Sequence, residues 1–225
     1  MSLPSFIVSN CHYPDLLFYR AISMDVSLDD SKLSASDHAL LKEFGELWNR
    51  AEAIWDSYQQ HSAFESYVSA DYHAVFHALI SLREQKSRFI EWGSGLGVVT
   101  IMADRLGYEA VGIEAKDLLV DFALDLADDF QSEAEFSVGS FIPDRFEWDP
   151  ASGDESIRTI IDIPDGYDQL GIELRDFDLV YSYPWPTEHA LYHNVMREFA
   201  DPNSVLLTYD AREGLGLVQF ADLGF

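Results

Sequence analysis

The stretch Arg88-Phe89-Ile90-Glu91-Trp92-Gly93-Ser94-Gly95-Leu96-Gly97-Val98-Val99 passes from one kind of structure to another. Phe89 to Trp92 is a short apolar run of the length of a buried strand. It enters three alternate glycines, and Val98 to Leu106 then reads as a helix with Gly107 as its C-cap. Glycines in a strand-to-helix turn allow a tight bend and let backbone N–H groups come close to a ligand. The helix N-terminus adds partial positive charge suited to a carboxylate. Glu91, inside the strand, and Gly93, Ser94, Gly95 and Gly97 are therefore candidate binding residues.

The pattern repeats downstream. Ala110 to Ile113 is a second strand ending at Glu114, and Asp117 to Asp129 is a helix with Leu119, Phe122 and Leu126 in a recurring apolar register. An acidic group at that strand tip can accept both hydroxyl hydrogens of a ribose. Phe136 to Gly139, Phe177 to Tyr181 and Ser204 to Tyr209 supply further strands. A helix over Thr187 to Ala200, capped by Thr187, separates the last two, and Leu217 to Phe220 is a candidate antiparallel strand. This alternation predicts an α/β fold, a doubly wound, mostly parallel sheet with helices on both faces.

Upstream the signals are helical. Apolar residues recur at helical spacing from Asp37 to Gln60, with Ser36 as N-cap, and again from Ala70 to Gln85. Residues 1–35, with Pro4 and Pro14, read as irregular with short strands. The expected organisation is a mainly helical extension over residues 1–85 and a ligand-binding domain over 86–225. Residues 143–175 are longer than a crossover helix requires, are acidic, and carry Gly153, Gly166 and Gly171. An extra strand over Arg158 to Ile163 is expected there. The segment as a whole reads as a mobile cover over the site.

Glu91–Gly97 fits the pattern E/D-x-G-x-G-x-G, and with Glu114 at the next strand tip the chain resembles the class I S-adenosylmethionine (SAM)-dependent methyltransferases over about residues 86–210. The resemblance implies SAM as cofactor. It implies that Glu91 and the glycine loop face the cofactor, with Glu114 on its ribose. Ser140 and Phe141 fall at its adenine, with Ser140 in place of a commoner acidic residue, and Tyr181 stands at the fourth motif. Ser182-Tyr183-Pro184-Trp185 resembles the (D/N/S)-P-P-(Y/F/W) motif of amino-group methyltransferases, with Tyr183 where the first proline belongs. The implied acceptor is a small molecule or protein, an amine among them. Ser182, Tyr183 and Trp185 are candidate catalytic residues, with His189 as a candidate base because its helix starts just beyond the aromatic loop. Two other readings stand beside this one. A nicotinamide-dependent oxidoreductase wants a glycine where Val98 stands. A non-catalytic interaction protein would use the same fold and an acidic surface to hold a basic partner.

Composition narrows the partners. Forty acidic against 14 basic side chains give a net charge of −26. Such a surface repels phosphate backbones, so free nucleic acid and anionic membrane are not expected partners, whereas a small molecule or a basic protein is. Cys11 is the only cysteine, which excludes an internal disulfide and a Cys-based zinc site and fits a cytoplasmic setting. The N-terminus carries no signal-peptide pattern, and no run of ~20 apolar residues is present to span a bilayer. His73/His77 and His189/His193 are i, i+4 pairs, and Glu188 could add a carboxylate to the second. Both pairs read as polar packing, and no metal centre is expected.

Overall fold

The computed structural model describes residues 20–23, 28–147 and 157–219. Cys11, Pro4, Pro14, Gly153 and Phe220 lie outside the described residues. Among the described residues seven strands form one sheet: β1 (Arg20–Ser23), β2 (Arg88–Trp92), β3 (Glu109–Glu114), β4 (Glu135–Val138), β5 (Leu179–Ser182), β6 (Val205–Asp210) and β7 (Gly214–Gln219). Their order across the sheet is β1-β7-β6-β5-β2-β3-β4. β2 to β6 are mutually parallel, and β7 runs antiparallel to both β6 and β1. The chain starts the parallel run in the middle of the sheet, builds outward through β3 and β4, and crosses back to build β5 and β6 on the other side. That reversal opens a crevice beyond the carboxyl ends of β2 and β5, the place where open α/β sheets bind ligands.

Helices cover both faces. They are α1 (Ala35–Tyr58), α2 (Tyr72–Leu82), α3 (Val98–Arg105), α4 (Asp117–Asp129), the short α5 (Tyr167–Leu170) and α6 (His189–Phe199). A central strand covered on both faces must be apolar throughout, and β2 buries Phe89, Ile90 and Trp92 together with the single carboxylate of Glu91. Successive side chains alternate between faces. Phe89 packs in one core with Phe44 and Leu47 of α1, Phe76 of α2, and Ile101 and Met102 of α3. Ile90 and Trp92 pack in the other with Leu191, Val195 and Met196 of α6. The helices of residues 35–82 thus share a core with the sheet, and β1 extends its edge.

The helix starts differ from expectation in two places. Ser34, not Ser36, caps α1: its hydroxyl accepts from the Asp37 N–H at 3.1 Å, and Asp37 three residues on completes a local hydrogen-bonded pair. Thr187 does not cap α6. Its φ of 82° is left-handed, Glu188 takes the N-cap position, and the helix begins at His189. The strand expected over Arg158 to Ile163 is absent among the described residues. Only an isolated bridge joins Ser140 to Asp165, continuing the edge beyond β4. The antiparallel strand expected near Leu217 is present as β7 and starts earlier, at Gly214. Among the described residues no helix is long and apolar enough to cross a membrane.

Candidate functional site

The crevice at the sheet's reversal holds a cavity of about 490 Å³. That is within the ~300–1,000 Å³ typical of small-molecule sites. Its floor is the glycine turn. Gly93, Gly95 and Gly97 all have left-handed φ, at 70°, 53° and 70°. The Gly93 and Ser94 N–H groups both donate to the Ile113 carbonyl, which hooks the turn onto β3. The three glycines serve different ends. A Cβ on Gly93 would meet nothing within 4 Å, and this residue lines the cavity. A Cβ on Gly95 would strike the Tyr67 ring at 2.7 Å. One on Gly97 would strike the Phe136 ring at 2.6 Å and Ala123 at 2.8 Å. Gly97 lies outside the cavity lining and lets α3 and α4 close on β4.

Two carboxylates frame the turn. Glu114, at the tip of β3, accepts from the Gly95 N–H at 2.9 Å with one oxygen and from the Lys116 N–H at 3.0 Å with the other. Burial raises its pKa above the usual carboxylate value, and those backbone bonds oppose the rise. A carboxylate can accept about four hydrogen bonds, so Glu114, which lines the cavity, has acceptor capacity left. Glu91, 6% exposed, accepts from the Thr100 N–H at 2.9 Å and the Thr100 hydroxyl at 2.6 Å. Burial pushes its pKa up to about 8, Thr100 pulling the other way. Thr100, in the first turn of α3, gives no sequence signal of this role.

The register of β2 on β5 sets Glu91 beside Tyr181 and Trp92 beside Ser182. Tyr181 therefore shares the cavity face with Glu91. Ser182 turns to the opposite face, where its hydroxyl donates to the Trp92 carbonyl at 3.3 Å. It does not line the cavity. The Tyr181 hydroxyl and the Ser94 hydroxyl are both buried without a hydrogen-bond partner, and both residues line the cavity. Tyr67 and Tyr72 close one wall, their hydroxyls 3.0 Å apart, and burial raises the Tyr67 phenol to about 12.

The opposite wall comes from the β4–β5 connection. Phe141 stacks on Trp92 with ring centroids 5.0 Å apart, and Tyr167 links the pair by accepting from the Trp92 indole and donating to the Phe141 carbonyl, each at 2.9 Å. Ser140 lines the cavity, but its hydroxyl donates to the Ile160 carbonyl and accepts from the Ile142 N–H. It fixes the connection in place. Arg158, Thr159 and Ile160 reach the cavity rim, and the Arg158 guanidinium lies 4.6 Å from the Trp185 ring. Buried Glu188 fastens this rim, accepting from the Arg158 N–H and from the Thr159 hydroxyl at 2.6 Å. It is not a partner of the His189/His193 pair in a three-residue cluster. Tyr183 and Trp185 line the cavity, with Tyr183 set edge-on against Tyr209 at 5.1 Å. His189 lies outside the lining, 6.5 Å from the His193 ring. Sequence reading misses Arg158, Thr159 and the β6–β7 turn residues Asp210 and Arg212 at the rim.

No family model matches this chain, and no curated protein does. Solved structures do. An RNA methyltransferase from Salinibacter ruber in complex with S-adenosyl-L-homocysteine (SAH) is 16% identical, over 71% of this chain and 96% of its own, with a TM-score of 0.49. An O-methyltransferase from Bacillus cereus in complex with SAH is 14% identical, over 80% and 69%, with a TM-score of 0.44. A SAH-bound methyltransferase from Podospora anserina is 11% identical, over 80% and 64%, with a TM-score of 0.46. What those proteins bind and methylate is theirs. By its own strand order, glycine turn and acidic strand tip, this chain has a doubly wound, mostly parallel α/β fold, and these solved methyltransferase structures are what it is similar to.

Proposed function

We propose that the protein is a SAM-dependent methyltransferase acting on a small-molecule or protein acceptor. The observation that carries the reading is the set of polar residues gathered on one cavity, two of them hydroxyls without a protein partner and two of them carboxylates with acceptor capacity left. The Ser94 and Tyr181 hydroxyls are orphaned, Glu91 is a buried acid with a pKa of about 8, and Glu114 keeps spare acceptor capacity at the strand tip. Buried polar groups without partners are uncommon and costly, and a polar ligand would satisfy them. These groups fit the cofactor: Glu114 would accept from ribose hydroxyls, and the glycine turn leaves open space at Gly93 for close approach.

Bound SAM supplies a methyl group made electrophilic by its sulfonium. The chain supplies position and dryness. Glu91, stripped of water and set among Tyr67, Tyr72 and Tyr181, would give up its proton to balance a cationic group placed beside it. The Trp92–Phe141 stack, tied together by the Tyr167 hydroxyl, forms the far wall. Arg158, Thr159 and Ile160 stand at the rim on the side left for the acceptor. The Trp185 face that a cationic acceptor would use carries Arg158, so an amine must displace that guanidinium or meet Tyr183 instead.

Isothermal titration tests the cofactor. Wild-type protein should bind SAH, and Glu114→Ala should weaken it by at least tenfold, as expected for loss of charged hydrogen bonds worth about 1.5–3 kcal/mol. Binding of NAD with none of SAH would overturn the reading. Binding of neither would favour a non-catalytic interaction protein.

A further inference from the structure

His73 and His77 stand one turn apart on α2, and their imidazoles converge on a residue distant in sequence. The Asp30 Oδ1 atom lies 3.0 Å from the His73 Nε2 and 2.8 Å from the His77 Nε2. All three donor atoms fall within 4.8 Å of one another. None of these residues lines the cavity described above.

We infer that Asp30, His73 and His77 form a binding site for a divalent transition-metal ion, with Zn²⁺ the ion its ligand chemistry fits best. Two imidazole nitrogens and one carboxylate oxygen are a common zinc donor set. Tetrahedral zinc with bonds of about 2.0–2.1 Å keeps its donor atoms about 3.3 Å apart. The two separations from Asp30 are close to that edge length and the third donor pair lies within 4.8 Å, so movement of the half-exposed Asp30 carboxylate and of the partly exposed His73 ring makes room for an ion. His77 is fixed by burial and by ring packing against Phe76 at 5.4 Å and His73 at 4.8 Å, so one ligand is already oriented. Asp30 and His73 are partly exposed, which gives entry and leaves a fourth position for water. The chain's net charge of −26 raises the local concentration of cations.

The site has a structural consequence. The turn Asp30–Lys32 buries none of its residues, and the His73 and His77 side chains reach it from α2. A metal ion would fasten this turn, and the start of α1 just beyond it, to the helix that walls the cavity.

The test uses the full chain, stripped with a chelator, dialysed and titrated with Co²⁺. One Co²⁺ per chain should bind, with the visible ligand-field bands of a low-coordinate ion, and Zn²⁺ should displace it and raise the melting temperature. His73→Ala and Asp30→Asn change partly exposed side chains and should fold. Losing even an outer partner of a metal ligand costs about 10–100-fold in affinity, so each should weaken Zn²⁺ binding by at least that much. His189→Ala should bind as wild type does. A folded wild-type chain without saturable Co²⁺ uptake, or uptake that survives in His73→Ala and Asp30→Asn, overturns the inference.

Discussion

Replacing Glu91 by glutamine should make the protein's stability less sensitive to alkaline pH. Glu91 is buried, and its pKa stands at about 8 in the folded chain against 4.5 for an ordinary glutamate. The sign follows from proton binding. Between pH 4.5 and 8 the folded state keeps a proton that the unfolded state has lost, so folding stability falls as pH rises through that window. The slope is at most one proton, about 1.4 kcal/mol per pH unit. From about pH 6 to about pH 8 the wild type should lose about 2 kcal/mol through this group alone, the fall flattening over the last half unit as Glu91 begins to ionise. The glutamine of the Glu91→Gln variant keeps an acceptor for the Thr100 N–H and hydroxyl and does not titrate. Other groups titrate in both proteins, so the quantity to measure is the difference between variant and wild type. At about 2–4 °C per kcal/mol for a chain of this size, that difference in melting temperature should grow by roughly 4–8 °C over the same pH interval. Urea denaturation at three pH values across it gives the same number as free energy. A difference that stays constant across those pH values would refute the assignment of a raised Glu91 pKa. If the proposed cofactor site is right and a cationic group of the ligand lies beside Glu91, saturating SAH should shrink the slope.

Gly97→Ala should cost about 2–5 kcal/mol in urea denaturation, the sum of a left-handed φ of 70° and a Cβ driven into the Phe136 ring. Tyr181→Phe removes a buried hydroxyl that has no protein partner, so stability should hold or rise, while SAH affinity measured calorimetrically should fall by about 0.5–1.5 kcal/mol. Glu188→Ala unfastens Arg158 and Thr159 from α6, and amide exchange at 157–160 should rise while β2 and β3 stay protected; unchanged exchange there would show that the rim is held by other contacts.

The parallel strands are legible in the sequence to within two residues because each is a short, mainly apolar run, and the glycines from Gly93 to Gly97 mark the turn from β2 into α3. Glu114 is legible for the same reason: an acidic residue ends an otherwise apolar strand. The division of labour among the glycines is not, because it depends on Phe136 and Tyr67, which pack on the turn from elsewhere in the chain. The motif reading puts Ser182 in the cavity, although strand alternation places it opposite Tyr181. A motif read as a block of consecutive residues hides that period. Glu188 draws notice for its neighbours His189 and His193, yet its partners are Arg158 and Thr159 across a long connection. Likewise the His73/His77 pair is visible in the helix, and Asp30 is not. Local spacing reveals which side chains share a face; it carries no information about what a distant segment brings to them.

The pairing of β1 with β7 joins segments from near opposite ends of the described chain at one edge of the sheet. Closing so long a loop is entropically expensive before any contact repays it, so this edge should be among the last parts of the sheet to form during folding. Until it forms, β7 presents a bare rim of amide and carbonyl groups, the kind of template on which another chain can add a strand. Expression of the protein without residues 1–23 would make that rim permanent, and self-association through β7 is the expected result.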